Sequence, residues 1–402
     1  MRILVVTTKS PYPLYEGRAL RTYNLLKQIA KKHEVYLLSF VQSEEEVQGI
    51  EQMRAFCARV EAIPLNLKGQ KLHLLFDLLR EIPSSSPLHV VKYRSRVMRC
   101  RMLKVLEAER IDLVHLDMLH LGEYANLCGE RPVVLMEHNV ESVLLERRMQ
   151  TTEQPLEKAY LRYQTRKLRD YEAALCRCVA HVVAVSDLDA KLLRRLAGVD
   201  SVTSIPNGVD TSYFGLADCP SRPYELVYVG GMTWFPNYDA MRFFCRDILP
   251  RIAEHIPDVS LTIVGKNPDN DGVREIAKNP RVRLTGLVED VRPLVAEAAV
   301  FIVPLRIGGG TRLKILDALS MGKPLVSTSI GCEGIEVSDG EHLVIADTPD
   351  KFAQEVEHML LQPQFGQRLG LAGRQLVERS YEWDKIAPAL DRVYETCVAR
   401  SR

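Results

Sequence analysis

The stretch Pro304–Leu325, PLRIGGGTRLKILDALSMGKPL, sets three consecutive glycines between an apolar run and an amphipathic one. "VFIVP" just before the glycines reads as a buried strand and "TRLKILDALSMG" after them as a helix. Gly308, Gly309 and Gly310 carry no Cβ, so a ligand can come close to the backbone there. Thr311 is placed to cap the helix. The helix start offers unpaired N–H groups and the positive end of the dipole, which suits a phosphate. Arg312 and Lys314 add full positive charges. Asp317 lies three residues beyond Lys314 on the same helical face, where a carboxylate can accept hydrogen bonds from the two vicinal hydroxyls of a ribose. The combination fits a nucleoside diphosphate. Its spacing is neither that of a P-loop nor G-x-G-x-x-G, and the same residues also fit a tight turn with solvated charges.

Working outward, the pattern around this stretch repeats. "RILVVT", "EVYLLSF", "DLVHLD", "PVVLMEH" and "HVVAVS" are short strand-like runs separated by helical segments. After "IPNGVDTSYFGLADCPSRPY", Ile205 to Tyr224, the alternation restarts with "ELVYVGG", "VSLTIVG", "VRLTG", "VFIVPL", "PLVST" and "HLVI". Strands alternating with helices predict parallel sheets covered by helices. The expected organisation is an α/β chain of two Rossmann-like domains facing a cleft, with ligands at the carboxyl ends of the strands. Asn207 and Gly208 are expected to form a hinge turn in the linker.

The 402 residues suit two or three domains, and 46% hydrophobic content is enough for full cores. A formal net charge of +1 provides no field that would select nucleic acid. The nine cysteines are scattered, and Cys176 and Cys178 lack the usual structural zinc spacing. They read as thiols of a reducing cytosol. "MRILVV" is too short for a signal sequence, and no apolar run approaches the ~18 residues of a spanning helix. The chain is expected to be cytoplasmic. Lys92 to Lys104, "KYRSRVMRCRMLK", holds six cations and no acid; it fits a solvated helix face or a peripheral contact with anionic membrane. "LHLLFDLL", Leu72 to Leu79, fits core or a membrane wedge.

The segments "VSDLDAKLLRRL", "IPNGVDTSYF", "YVGGMTWFPNYDAM", "LTGLVEDV" and "PLRIGGGTRLKILDALSMGKPLVST", in this order, resemble the retaining family 4 glycosyltransferases of the GT-B fold. The final "YEWDK" and its helix are similar to the segment that crosses back to the N-terminal domain. "TKSPYPLYEGRALRTYNLLKQIAKKHEVYLLSF" resembles a subgroup linked to exopolysaccharide and surface glycans. The resemblance implies an N-terminal acceptor domain over 1–205 with 383–402 packed back on it, a linker over 206–223, and a nucleotide-sugar domain over 224–382. It implies a UDP- or GDP-sugar donor, an acceptor that is a sugar, a lipid-linked glycan or another hydroxyl compound, and no metal or other cofactor. The implied chemistry transfers the sugar with retention by a front-face route in which the leaving diphosphate takes the acceptor proton.

Residue by residue, Asp317 stands for the second glutamate of the family pair and Gly309 for the first. The Arg and Lys that many members carry after the first strand of the second domain are absent from "GGMTWFPNYDA". Arg312 and Lys314 then become the diphosphate ligands, with Gly309, Gly310 and Thr311 beside them. Gly17 sits where the family's first glycine loop meets the diphosphate. His138 matches a family histidine near the transferred sugar, where a neutral imidazole can hydrogen-bond a hydroxyl or stabilise developing charge; it also fits a strand-end residue that caps the next helix with Asn139. Glu137 and Glu141 are further polar groups there. Glu333 falls in a loop similar to those that approach the donor sugar. His115 and Asp117 read as residues of a cleft rim, and Asn237 as a helix cap or a donor contact. The pairs Asp187–Asp189 and Asp269–Asp271 read as helix-start and turn chemistry, not metal ligands. A nucleotide-sugar 2-epimerase on the same fold and a degenerate nucleotide-sugar-binding protein remain the alternatives.

Overall fold

The computed structural model describes residues 1–14, 17–65, 86–152, 154–216 and 221–401. The run 72–79 lies outside the described residues. The chain divides into two compact units, Met1–Pro206 with Trp383–Arg402, and Asn207–Glu382.

The first unit is built on a parallel sheet of β1 (Arg2–Thr7), β2 (Glu34–Val41), β3 (Arg59–Pro64), β4 (Leu113–Asp117), β5 (Val133–Met136), β6 (His181–Ala184) and β7 (Val202–Ser204). Its order is β3-β2-β1-β4-β5-β6-β7. Central strands such as β1 and β4 are buried nearly throughout, as expected where helices cover both faces of a parallel sheet. Two strands were not anticipated. The edge strand β3 buries only Val60 and Ile63 of RVEAIP, and β7 is only three residues long. The helix Trp383–Ser401 belongs to this unit. Its Asp391 meets Lys32 at 2.7 Å and His33 at 3.2 Å.

The second unit has β8 (Glu225–Val229), β9 (Ser260–Val264), β10 (Val282–Leu284), β11 (Val300–Val303), β12 (Leu325–Ser327) and β13 (Val344–Ile345), ordered β10-β9-β8-β11-β12-β13. Much of the stretch expected as linker packs within this unit. Val209 donates its N–H to the Tyr381 carbonyl at 2.8 Å, and Ser320 Oγ donates to the Phe214 carbonyl at 2.7 Å. Asn207 is buried and bonds to Thr311, so it is a packed residue and not a free hinge.

In each sheet the strand order reverses once, between β1 and β4 and between β8 and β11. A crevice opens at such a switch point, outside the carboxyl ends of the strands. Register decides what meets there. Thr7 pairs with Asp117, and Asp117 with Met136, so Thr8, Met118 and Glu137 leave the sheet together, with His138 one residue on. Val229 pairs with Val264, which brings Gly230 and Gly231 against Gly265.

At Gly265 the backbone has φ 144°, and a Cβ would lie 2.7 Å from the Gly230 carbonyl carbon and the Gly231 nitrogen. A methyl group there must displace backbone, not a flexible side chain. Gly265→Ala is therefore expected to destabilise the protein by about 1–3 kcal/mol, read as a lower midpoint in thermal unfolding. An unchanged midpoint would show that the two loops are not in close contact.

Candidate active site

In the second unit the strand β11 leads into the glycine loop. Gly310 has φ 64°, a left-handed conformation that glycine adopts without a Cβ clash. The helix that follows starts at Leu313, one residue beyond the expected boundary. Thr311 is thus not the cap: Arg312 holds that position and no side chain caps the helix. Thr311 instead accepts from Asn207 Nδ2 at its Oγ1, 2.6 Å, and at its carbonyl, 3.2 Å.

The two cations of the motif take different places. Arg312 folds back on the loop. Its Nη1 donates to the carbonyls of Gly309, at 2.7 Å, and of Gly310, and its Nη2 donates to the Ile330 carbonyl at 3.0 Å. Glu333, in the loop after β12, lies 4.0 Å from the same guanidinium. Lys314 points to the end of β8. Its Nζ donates to Tyr228 Oη at 2.8 Å and to Asn237 Oδ1 at 3.1 Å. Tyr228 Oη donates to Asn237 Oδ1 at 2.6 Å, and Asn237 Nδ2 donates to the Gly231 carbonyl at 2.9 Å. Asn237 is therefore not a cap: it sits inside the helix Phe235–Phe243 and orients Lys314. A Cβ on Gly230 would be 2.6 Å from Lys314 Nζ, so the missing side chain makes the ammonium's room.

Burial, reinforced by the Arg312 charge, lowers the Lys314 ammonium to about 7, with Asp317 opposing. Burial raises Asp317 to about 8, with Lys314 opposing. The Asp317 carboxyl has no hydrogen-bond or ion-pair partner among the described residues. Both groups thus sit close to neutrality at pH 7, and an anion that enters beside Lys314 favours its charged form.

In the first unit the centre is Asp117, only 3% exposed at the end of β4. It is not a rim residue. Its Oδ1 accepts from His138 Nε2 at 2.7 Å, and its Oδ2 accepts from Thr22 Oγ1 at 2.9 Å. His115 Nε2 lies 3.9 Å away, and His115 Nδ1 meets Tyr394 Oη at 2.5 Å. Burial acts to raise the Asp117 pKa, but His138 and His115 outweigh it and hold the carboxyl below its ordinary range. For His138 burial dominates and lowers the pKa, although Asp117 opposes it. The carboxylate can only accept, so Nε2 carries the proton of the neutral imidazole and Nδ1 is the acceptor nitrogen. His138 does not cap the next helix, whose cap position is Val140. Gly17, exposed, opens the helix Gly17–Ile29 in this unit. Glu137 is 1% exposed, and among the described residues neither carboxyl oxygen has a hydrogen-bond partner; burial, then Glu172 and Glu141, push its pKa well up, with the Leu119 backbone opposing.

Asp117, Thr22 and Tyr228 were missed as site residues. The signal for Asp117 was its place at a strand end in "DLVHLD". Nothing local marked Thr22 or Tyr228. The D-x-D pairs serve helix starts: Asp189 accepts from Ser186 Oγ at 2.6 Å, and Asp269 and Asp271 both meet Arg274. Among the described residues no group of His, Cys, Asp and Glu is arranged to hold a metal, and no helix is long and apolar enough to cross a membrane.

Residues 16–213 match the family described as Glycosyltransferase Family 4, and residues 223–362 match Glycosyl transferases group 1. An uncharacterised 44.6 kDa protein in the cps region of Klebsiella pneumoniae is 23% identical over 88% of this chain and 90% of its own. A phosphatidyl-myo-inositol mannosyltransferase of Mycobacterium tuberculosis is 31% identical over 53% of this chain, and the match spans 59% of that protein's length. Among solved structures, Anabaena Alr3699/HepE in complex with UDP and glucose superposes with a TM-score of 0.72 at 15% identity, over 98% of this chain and 100% of that one. Sucrose-phosphate synthase from Thermosynechococcus elongatus gives 0.72 at 17% identity, over the whole of both chains.

The Asp117–His138 pair has a direct signature. In Asp117→Asn the burial and the charges of Arg21 and Arg18 still lower the His138 pKa, while the opposing carboxylate is gone. The imidazole is expected to titrate at lower pH than in the parent, followed through its ring resonances by NMR. An unshifted titration would mean that the two groups are not coupled.

Proposed function

Because this chain belongs to the family 4 glycosyltransferases and has their two-domain GT-B fold, we propose that it is a retaining hexosyltransferase using a UDP- or GDP-sugar. The observation that carries the reading is the Lys314–Tyr228–Asn237 cluster beside the glycine loop, with Asp317 one helical turn on. Lys314 receives the diphosphate, and the Asp317 carboxyl receives the ribose hydroxyls. Arg312 fixes the loop that presents Gly309 and Gly310, and its charge adds to the local field. Glu333 and Gly17 are further candidates for donor contact.

The same cluster supports a working donor site over a degenerate one. The family's cations after the first strand of this domain are missing here. Lys314 Nζ lies against Gly230, at the end of that strand, so the helix supplies the charge that the loop lacks. In the reaction the bond from C1 of the sugar to the phosphate oxygen breaks and a bond from C1 to the acceptor oxygen forms on the same face. The acceptor proton goes to the departing diphosphate. The protein's share is to neutralise that leaving group and, through His138, to meet the charge developing on the sugar. No metal and no cofactor takes part in this scheme. A 2-epimerase would consume the donor with no acceptor present, which separates that alternative.

Surface-glycan assembly is the proposed setting, supported by the similarity to a protein of a cps region, with a hydroxyl-bearing glycan or lipid-linked glycan as acceptor on the cytoplasmic side. Weak contact with anionic membrane through 92–104 belongs to the same proposal. The helix Arg96–Ala108 buries Met98, Met102 and Val105 and exposes Arg96, Arg99, Arg101 and Lys104, so any such contact is electrostatic and not an apolar insertion.

Charge-assisted contacts are worth about 1.5–3 kcal/mol each. Lys314→Met is therefore expected to weaken both UDP and pyrophosphate by roughly tenfold or more. Asp317→Asn should weaken UDP and spare pyrophosphate. Since the empty-site Lys314 titrates near 7, pyrophosphate binding at pH 8 should take up protons, seen as a buffer-dependent heat in calorimetry and absent from Lys314→Met. Equal affinities in parent and variants would sink the donor assignment.

His138→Ala is expected to lower kcat by about a hundredfold with donor affinity nearly unchanged, because a group acting on developing charge changes the barrier and not ground-state binding. Steady-state transfer kinetics beside a donor Kd check this, with circular dichroism to confirm folding. Normal turnover would make His138 a structural residue.

A further inference from the structure

Beside His138 the first unit gathers charged and polar groups that neither the Asp117 pair nor the donor pocket uses. Arg18, in the first turn of the helix Gly17–Ile29, donates Nη1 to Thr8 Oγ1 at 3.1 Å and contacts Met118 Sδ at 3.3 Å. Lys92 follows the short helix Leu88–Val91, with Nζ 5.1 Å from the Tyr93 ring centroid. The His120 ring stands edge-on to Tyr93 at 5.5 Å and to His89 at 6.1 Å. Glu141 opens the helix after β5 and accepts only from Asn139 Nδ2 at 3.3 Å.

Two features of this cluster point to a ligand. Lys92 is partly exposed, and its ammonium makes no hydrogen bond or ion pair among the described residues. Nδ1 of His89 and Nδ1 of His120 are buried without a hydrogen-bond partner, and His120 is 7% exposed. The groups also sense one another. Burial and then the Lys92 charge lower both His89 and His120, and His120 also feels His89, Arg18 and His138. Burial raises Glu141, against Lys92 and Arg18. The His89 environment further includes Arg148, and that of Tyr93 includes Lys9.

An oxyanion fits each of these features. Its charge pairs with the Lys92 ammonium, and its oxygens accept from Lys92 and Arg18 and from an imidazole N–H at His89 or His120. Arg18 and His120 lie in the elements that open after β1 and β4, and both act on His138, the residue assigned to the transferred sugar. We infer that the acceptor carries an anionic group, a phosphate ester or a carboxylate, which docks on Lys92 and Arg18 between His120 and Glu141 while its hydroxyl is presented to the sugar. The inference rests on the transferase reading for the word acceptor, but the anion site itself belongs to the first unit alone.

The test is made on the full chain with the Lys314→Met substitution, so that the second unit's anion site is weakened and the outcome does not depend on donor binding. The histidine ring resonances are followed by NMR at low ionic strength during titration with glycerol 3-phosphate, with glucuronate and with glycerol. The expected result is saturable movement of the His89 and His120 resonances with at least one of the two anions and none with glycerol. The affinity should fall at least tenfold when Lys92→Met, which keeps the apolar stem, is added. The ratio of the two anion affinities tells a phosphate-bearing from a carboxylate-bearing acceptor. Rings that do not respond to either anion would overturn the inference, as would a response that Lys92→Met leaves undiminished. The ring response is read before Lys92 is changed, so a variant that fails to fold does not remove the decision. UDP affinity of the parent chain, measured separately, reports on the transferase reading and not on this one.

Discussion

The buried carboxylate of Asp117 is the constraint around which the first unit is organised. A charge that is 3% exposed must be held by hydrogen bonds and opposite charge, or it would neutralise. His138 and Thr22 take one oxygen each, and the Coulomb field of Arg21 reaches the same group. Arg21 is itself fully buried, and its Nη groups donate to the carbonyls of Ile205 and Pro206, both at 2.7 Å. His115 continues the chain of contacts to Tyr394 on the C-terminal helix. One carboxylate thus ties together two strand ends, the first helix, the segment where the chain leaves the unit, and the helix that returns to it. Removing one member of such a set leaves the others buried and uncompensated, which costs more than the set contributes when intact.

The second unit handles its buried charges differently, as burial shifts two of them toward neutrality. Arg312 cannot lose its proton, and the structure surrounds it with carbonyl oxygens. Lys314 and Asp317 can change protonation, and burial moves each toward its neutral form. Neutral groups cost less to bury than ions. A ligand that brings its own negative charge restores the ammonium at the moment of contact. The difference between arginine and lysine explains why two neighbouring cations of one motif have separate tasks.

Much of this was legible because parallel sheets write themselves as repeated apolar runs. The central strands and the strand–loop–helix around the three glycines could be read from residue order. What was not legible depended on register and on edges. The edge strand β3 buries only Val60 and Ile63, and β7 is too short to show a period. Asp117 was visible as a strand-end acid, but its role needed the pairing of β4 with β5, which sets it beside His138. Tyr228 and Asn237 lie far from Lys314 in sequence and meet it only because β8 and β11 are neighbours in the sheet. The expectation for Thr311 failed by one residue because Arg312 turns back on the loop and shifts the helix start.

The strand order that reverses once in each sheet leaves one polar edge per unit, and the two edges are furnished differently. In the second, burial moves a lysine amine and a carboxyl toward their neutral forms, and the proposed diphosphate would meet them there. In the first, a neutral imidazole is held by a carboxylate in a field that Arg18, Arg21 and Lys92 make positive. A sugar that gains positive charge beside His138 would be repelled by those three cations acting alone. Asp117 offsets part of that field permanently, and Glu141, raised by burial, offsets it only weakly. An anion brought by the acceptor would complete the balance when the second substrate arrives, so the electrostatics that favour reaction would be assembled by the substrates and not maintained at the expense of the empty fold.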